Sequence, residues 1–189
     1  MNKLRFYCAL LIAKLSIIAL KITRHNGTNF PGIVAIKICP DFLKYIELPN
    51  KIIGVTGTNG KTTCSNLLHD SLTVLGERVL NNSAGSNTIT GITTSLITSV
   101  SLTGKQRYGI AVFEIDELSS RRIFPFVHVD FLVVTNLSRD SIMRNAHPDY
   151  IKSVLENHID KSTRLILNAD DLISSQMCPH NERGFFGIE

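Results

Sequence analysis

The sequence predicts an α/β protein in which a doubly wound, mostly parallel sheet with a phosphate-binding loop follows a short helical N-terminal segment. Three observations support this fold class. Short β-rich apolar stretches alternate with helix-like stretches, their connections lack hairpin signals, and polar residues stand where the apolar stretches end. A chain of 189 residues is long enough to bury one substantial core.

Strand and helix patterns alternate from residue 51 onward. The predicted strands cover 51–56, 78–81, 109–115, 131–136, 164–167 and 184–188. The predicted helices run from the first glycine-rich loop to Leu75, over 88–100 and over 150–158. Asn87 is the expected N-cap of the second of these helices. We therefore expect two units, a basic helical segment over 1–50 and an α/β domain over 51–189.

Composition excludes several classes of protein. Hydrophobic residues make up 43% of the chain and charged residues 19%, which excludes an intrinsically disordered protein. The four cysteines form no C-x-x-C pair, so the sequence predicts neither a zinc ribbon nor a disulfide framework. Free cysteines are typical of the reducing cytoplasm, where we expect the protein to reside.

Charge is distributed unevenly along the chain. Residues 1–51 contain eight Lys and Arg against two Asp and Glu, whereas the remainder contains twelve against fourteen. A basic segment of this kind attracts anionic lipid head groups or nucleic acid. Because the sequence carries no nucleic-acid-binding signature, we expect no nucleic-acid partner, and a peripheral membrane contact stays open.

The N-terminal apolar run covers residues 6–20. It is shorter than the roughly 20 apolar residues of a membrane-spanning helix, and Lys14 interrupts it. Leu11, Leu15 and Ile18 fall on a different helical face from the lysines, which predicts an amphipathic helix. Two interpretations stay open: the helix packs through this apolar face on the domain or on one missing from this chain, or the face rests on a membrane surface.

A glycine-rich loop, GTNGKTT over residues 57–63, joins the first predicted strand to the following helix. Gly57 and Gly60 let the backbone turn its N–H groups inward, and the helix N-terminus favours an anion. Lys61 supplies a positive charge for the β- and γ-phosphates, and the Thr62 hydroxyl is a ligand for Mg²⁺. The alternative is a glycine-rich turn that carries a lysine by chance.

The loop is a variant of the G-x-x-x-x-G-K-[ST] pattern. That pattern requires glycine at the position where this chain has Val55. We expect Gly54 and Gly57 to take the place of the missing glycine.

Polar residues lie at the ends of the third, fourth and fifth predicted strands, at one edge of the sheet, where ligands bind in open α/β folds. These residues are Glu114, Asn136, Asn168, Asp170 and Asp171. Glu114 follows the hydrophobic run 110–113 at the end of the third predicted strand, so we expect it to hold Mg²⁺ directly or through water. Asp116 and Glu117 fit better as an N-cap or as acids in the first turn of the following helix.

The loop resembles the nucleotide-binding loop of the Mur ligases, the ATP-dependent amide-forming enzymes of peptidoglycan synthesis and cell wall biogenesis. Further stretches extend the resemblance: 28–38, 85–87 with Gly91, 114–117, 135–137 with 139–140, and 167–171. The FPGIVAIKI stretch and the EIDE tetrad resemble the MurT-like branch of the family, the ligase-like subunits of lipid II isoglutaminyl synthase.

The resemblance implies a reaction in which ATP phosphorylates the α-carboxylate of D-glutamate in lipid II. Ammonia from a GatD-like glutamine amidotransferase partner then displaces phosphate from the acyl phosphate, in the cytoplasm at the inner face of the membrane. The chain shows no glutaminase triad of its own. The resemblance places Gly57, Thr58, Asn59, Gly60, Lys61, Thr62 and Thr63 on the ATP phosphates, Thr62 and Glu114 on Mg²⁺, Lys61 and Glu114 in catalysis, and Asn168 near the adenine.

The chain also departs from the family pattern. Met143 stands where relatives carry a second acid after Asp140, and Leu172 stands where proline usually follows the Asp pair. We expect 51–189 to be an incomplete central ATP-binding domain, without the zinc ribbon and C-terminal domain of MurT-like proteins.

Two other functions stay open. One is a non-catalytic module that binds nucleotide or docks a partner. The other is a ligase of the folylpolyglutamate synthetase type, whose loop usually reads G-K-G-S, unlike the Thr62-Thr63 pair here.

Overall fold

The computed structural model of the chain describes residues 2–23, 29–83, 86–138 and 147–188. Two helices precede the sheet, α1 (Asn2–Ile22) and α2 (Phe30–Ile38), and a 3₁₀ turn over Phe42–Lys44 follows them. Asn29 precedes α2, and Pro31 stands in the first turn of that helix, where its missing N–H group costs no hydrogen bond.

Strands and helices then alternate as predicted. They are β1 (Lys51–Thr56), α3 (Lys61–Val74), β2 (Val79–Asn81), α4 (Ile89–Ser99), β3 (Ile110–Glu114), α5 (Ser120–Ile123), β4 (Phe131–Val134), α6 (Pro148–Glu156), β5 (Arg164–Asn168) and β6 (Arg183–Phe186). The predicted strands and helices all appear, several of them one or two residues shorter. A 3₁₀ turn over Ser174–Gln176 lies between β5 and β6.

The sheet of the described residues has six strands in the order β2-β3-β1-β4-β5-β6, and each neighbouring pair is parallel. The chain places β2 and β3 on one side of β1 and β4 to β6 on the other. In such sheets a crevice opens at the carboxyl ends of the strands where the direction of winding changes. The register pairs Val55 with Glu114 and Thr56 with Val134, so both neighbours of β1 end beside the glycine loop. The predicted fold class is confirmed.

Alternate residues of the strands face two hydrophobic clusters, as expected for a sheet covered on both faces. One face contributes to a large cluster with α1, α2 and α4, and its strand residues include Ile52, Phe113 and Leu132. The other face contributes Val55, Val79, Val112 and Val133 to a smaller cluster against α3. Residues of the predicted N-terminal segment therefore share a core with the sheet.

Helix α1 packs on the domain, but not through the predicted face. Its buried residues are Phe6, Ala9, Leu10 and Ala13, whereas Leu11, Leu15 and Ile18 are exposed. The helix is apolar around most of its circumference, so the pattern of leucines did not identify the packed side. Packing of the Leu11 face on this domain is therefore wrong, and the other interpretations of that face stay predictions.

The position of Lys14 explains why the lysines did not mark the solvent-facing side of α1. Its ammonium donates hydrogen bonds to the carbonyl oxygens of Ile97 and Val100 at 2.9 and 2.7 Å, at the C-terminal end of α4. Burial lowers the pKa of Lys14, and Arg107 lowers it further by repulsion. The charge therefore points toward the end of a neighbouring helix, where the carbonyls favour a cation. Within the described residues, no helix combines the length and apolarity needed to cross a membrane.

We expect Leu10→Ala to destabilise the protein by about 2–5 kcal/mol, because it leaves a cavity between α1 and the core. Leu10 is 1% exposed, and the adjacent Leu11 is 51% exposed. Leu11→Ala is the matched control and should change the free energy of unfolding by less than about 0.5 kcal/mol. Urea denaturation measures both. Equal losses, or a larger loss for Leu11→Ala, would contradict the observed packing of α1.

Candidate phosphate-binding site

Gly57 fits the loop after β1 where no other residue would. Its φ of +126° lies outside the range of most L-residues. An added Cβ would lie 2.3 Å from the Thr135 hydroxyl oxygen and 2.8 Å from the Asn136 carbonyl oxygen. Gly60, with φ +80°, is the left-handed residue directly before α3. Gly54 instead lies buried inside β1, so the prediction that it forms part of the loop is wrong.

The segment after β4 holds the loop in place. The backbone N–H of Thr58 donates to the Asn136 carbonyl at 2.8 Å, and that of Asn59 to the Asn136 side-chain oxygen at 3.2 Å. The Thr135 hydroxyl donates to the Asn59 carbonyl at 2.6 Å, and the Asn136 amide donates to the same oxygen at 3.1 Å. These bonds occupy the N–H groups of Thr58 and Asn59, two of the residues that the resemblance places on the ATP phosphates.

The start of α3 supplies donors for an anion. The first N–H groups of an α-helix have no acceptor within the helix, and the helix dipole favours negative charge there. Helix α3 begins at Lys61, and Gly60, Thr62 and Thr63 are exposed. A phosphate group can therefore approach this end of α3 from solvent.

Lys61 is held at the base of the loop by Glu117. The Lys61 ammonium lies 2.9 Å from the Glu117 carboxylate and donates to the carbonyl oxygens of Gly57 and Thr58, the latter at 3.2 Å. The two charged side chains are only 14% and 12% exposed. The interpretation of Glu117 as a first-turn acid of the following helix is therefore wrong. Sequence reasoning missed the pair because its members are 56 positions apart.

Asp116, the neighbouring acid, is also neither the N-cap nor a first-turn acid, because α5 begins at Ser120 after the N-cap Ser119 and its first turn holds no acid. Its carboxylate accepts a hydrogen bond from the Ser119 N–H at 2.8 Å, in the turn that leads into α5. Its own N–H donates to the Asn87 carbonyl. It therefore shapes the turn and leaves Glu117 to face the loop.

Burial raises the pKa of the Glu117 carboxyl above the usual value for glutamate. The hydrogen bond and the charge of Lys61 lower it, but by less than burial raises it. The cost of burying the carboxylate thus exceeds the attraction of its partner, as often occurs for buried ion pairs.

The two predicted Mg²⁺ ligands are in direct contact. The Thr62 hydroxyl donates to the Glu114 carboxylate at 2.8 Å. The other carboxylate oxygen accepts from the Asn87 amide at 3.2 Å. The prediction that Asn87 caps α4 is wrong, because Thr88 is the N-cap of that helix. The Asn87 amide instead contacts Glu114.

The donor set at this contact suits Mg²⁺. In phosphate sites Mg²⁺ usually retains several waters and takes only one or two protein oxygens besides the phosphate oxygens. Thr62 and Glu114 supply one hydroxyl and one carboxylate at the start of α3. No group of three or more metal-binding side chains occurs among the described residues, which such a site does not need.

Asn82 fixes the backbone of Glu114. Its amide donates to the Glu114 carbonyl and its side-chain oxygen accepts from the Glu114 N–H, both at 2.9 Å. Asn82 is buried, so this exchange is shielded from water. Nothing in the sequence pattern identified this residue, since it follows the short strand β2 without any motif.

The end of β5 braces the segment after β4. The Asn168 amide donates to the Thr135 carbonyl at 2.9 Å, and the Asp171 carboxylate accepts from the N–H groups of Leu137 and Ser174 at 3.0 and 2.9 Å. Asn168 thus lies at the same edge as the loop. Asp140 and Met143, together with Gly85, lie outside the described residues.

Comparisons with known proteins agree with this architecture. The profile of the Mur ligase middle domain matches residues 55–184. The lipid II isoglutaminyl synthase (glutamine-hydrolyzing) subunit MurT of Staphylococcus aureus (strain COL) is 36% identical over 176 residues, covering 92% of this chain and 39% of that protein. The MurT subunit of Streptococcus pneumoniae is 34% identical over 167 residues, covering 87% of this chain and 37% of that one. The chain thus spans about two fifths of the length of these relatives.

A solved structure shows the same fold at lower identity. The MurF ligase from Thermotoga maritima in complex with ADP superposes with a TM-score of 0.60 and 18% identity, over 83% of this chain and 36% of that one. At this identity the likeness concerns the fold alone.

We expect Glu117→Gln to gain stability relative to the wild type as pH rises above the usual glutamate pKa of about 4.3. The raised pKa means that the folded protein holds this proton more tightly than the unfolded chain does. Its stabilising contribution is therefore present at low pH and is lost as the carboxyl ionises. Urea denaturation of both proteins between about pH 4 and pH 7 measures the difference.

Glu77→Gln, which removes an exposed carboxylate after α3, is the control for net charge. If the wild type instead gains stability relative to Glu117→Gln with rising pH, the attraction of Lys61 exceeds the cost of burial. That outcome would contradict the direction of the pKa shift.

Proposed function

Since the chain belongs to the Mur ligase family, we propose that it is the nucleotide-binding part of an ATP-dependent carbon–nitrogen ligase of peptidoglycan synthesis. Its similarity to MurT subunits supports a finer proposal. The ligase activates the α-carboxylate of D-glutamate in lipid II, and ammonia from a glutamine amidotransferase partner converts it to the amide. The proposed location is the cytoplasm, at the inner face of the membrane.

The contact between Thr62 and Glu114 beside Lys61 carries the proposal. A hydroxyl and a carboxylate meet at 2.8 Å at the start of a helix, next to a lysine held in the loop. This set can bind a triphosphate and its Mg²⁺ together. When bound, Mg²⁺ offsets negative charge on the phosphate oxygens.

The residues of the chain have distinct tasks in this proposal. The N–H groups at the start of α3 bind phosphate oxygens, and Thr62 and Glu114 hold the metal. Lys61 places a positive charge where the carboxylate of the substrate and the γ-phosphate, both anions, must meet. Glu117 and two carbonyls hold the Lys61 ammonium beside the loop, so binding a phosphate oxygen requires it to exchange one of these three acceptors. Asn168 is proposed to lie near the adenine.

The proposed reaction has two steps. A carboxylate oxygen of D-glutamate bonds to the γ-phosphorus as the bond to ADP breaks, which leaves an acyl phosphate and ADP. The ammonia nitrogen then bonds to the acyl carbon as the bond to the phosphate oxygen breaks, and ammonia loses a proton. The names of the relatives contain the words "glutamine-hydrolyzing" and "subunit", which support an external source of ammonia.

A second candidate function is a module that binds nucleotide or docks a partner without catalysis. The chain spans about two fifths of the length of its MurT relatives. Binding of nucleotide and catalysis are therefore tested separately.

Lys61→Ala should weaken binding of Mg-ATP by at least about tenfold, because a charged hydrogen bond to phosphate contributes about 1.5–3 kcal/mol. Isothermal titration calorimetry measures the affinity. Lys51→Ala is the matched control, since Lys51 stands exposed at the opposite end of β1. Chelation of Mg²⁺ should weaken ATP binding in the wild type much more than in Glu114→Gln. Equal affinities for wild type and Lys61→Ala would refute the proposed site.

Catalysis is tested by combining the chain with a glutamine amidotransferase subunit, lipid II, ATP and glutamine. We expect mass spectrometry to detect amidated lipid II, and Lys61→Ala to lower its yield at least about tenfold, in line with its loss of affinity. If the chain itself performs the ligation, an ammonium salt in place of glutamine should also give the amidated product. Intact ATP binding without any amidated product would instead favour the non-catalytic module.

A further inference from the structure

The outer face of α1 is an apolar stripe that no described residue covers. Leu4, Leu11, Leu15, Ile18 and Ile22 are between 51% and 78% exposed. Their spacing places them along one side of the helix, opposite the buried Phe6–Ala13 side. A surface helix normally turns polar residues outward, and large exposed apolar patches mark interaction sites. We call these five residues the outer stripe.

The surroundings of the outer stripe are basic. The first 40 residues contain six Lys and Arg and no Asp or Glu. Beside Ile18, an open cleft of about 270 Å³ is lined by three cations, Lys14, Lys21 and Arg107, and by the apolar Ile17 and Leu102. Among the described residues, no acid lines this cleft. An apolar surface next to a basic cleft complements the boundary between acyl chains and anionic head groups.

The inner side of α1 is firmly attached, so the outer stripe is presented without unfolding. Phe6 and Leu10 are buried in the core, Lys14 binds two carbonyls at the end of α4, and the Arg5 guanidinium donates to the Ile38 carbonyl at 2.5 Å. A helix that has to detach before binding would lose these contacts. Here the exposed face is available in the folded state.

We propose that the outer stripe docks on an anionic membrane surface. The five apolar side chains enter the head-group boundary, and Lys21 and Arg107 attract lipid phosphates. The absence of acids favours this occupant over an ordinary protein partner, whose surface carries both signs of charge. Docking places the proposed ligase beside a lipid-linked substrate. That last link depends on the proposed function, whereas the docking itself does not.

Sedimentation with vesicles tests the proposal on the full chain. We expect binding to vesicles of phosphatidylcholine with phosphatidylglycerol, weaker binding at high salt, and little binding to phosphatidylcholine alone. Leu11→Ser/Leu15→Ser should lower the partition coefficient about tenfold or more. Leu67→Ser/Leu75→Ser is the matched control, because it removes two exposed leucines from α3 and its end. Lys21→Glu/Arg107→Glu should remove the preference for anionic vesicles.

Two outcomes would overturn the proposal. The first is equal vesicle binding by the wild type and Leu11→Ser/Leu15→Ser, and the second is no binding to anionic vesicles at all. In the second case, a self-association that analytical ultracentrifugation detects and the same variant abolishes would assign the outer stripe to a second copy of the chain. Titration of each variant with Mg-ATP keeps the two proposals apart, since loss of nucleotide binding would count against the site and not against docking.

Discussion

The parallel register of β1 between β3 and β4 is the constraint on which the candidate site depends. It sets Val55 against Glu114 and Thr56 against Val134, so three strands end together around the glycine loop. The carboxylate of Glu114 then meets the hydroxyl of Thr62. A shift of one residue in β3 would turn the Glu114 side chain to the other face of the sheet.

Polar side chains from neighbouring strand ends convert this arrangement into a rigid site. Asn136 binds the loop backbone, Asn82 binds the backbone of Glu114, and Asp171 binds the segment that carries Asn136. Each bond joins groups that the strands bring to one edge. Such preorganisation spares a site the cost of ordering its groups when a ligand binds.

Helix α1 is buried in the core on one side and exposes apolar side chains on the other. Its inner side closes the large cluster against α2 and α4, and its outer side leaves leucine and isoleucine in solvent. The lysine that interrupts the run is not a solvent-facing charge, because it binds the last carbonyls of α4. Helix α1 therefore links the sheet that carries the candidate site to the surface that the outer stripe presents to solvent.

The residues by themselves determined the alternation of strands and helices, the glycine loop and the acid at the end of β3, since each depends on spacing within a short stretch. Tertiary structure alone decided that Glu117 pairs with Lys61, that Asn87 contacts Glu114 rather than capping α4, and that α1 packs through the side opposite Leu11. These features depend on contacts between elements far apart in the chain. A helix that is apolar on all sides carries no local signal for the side that will be buried.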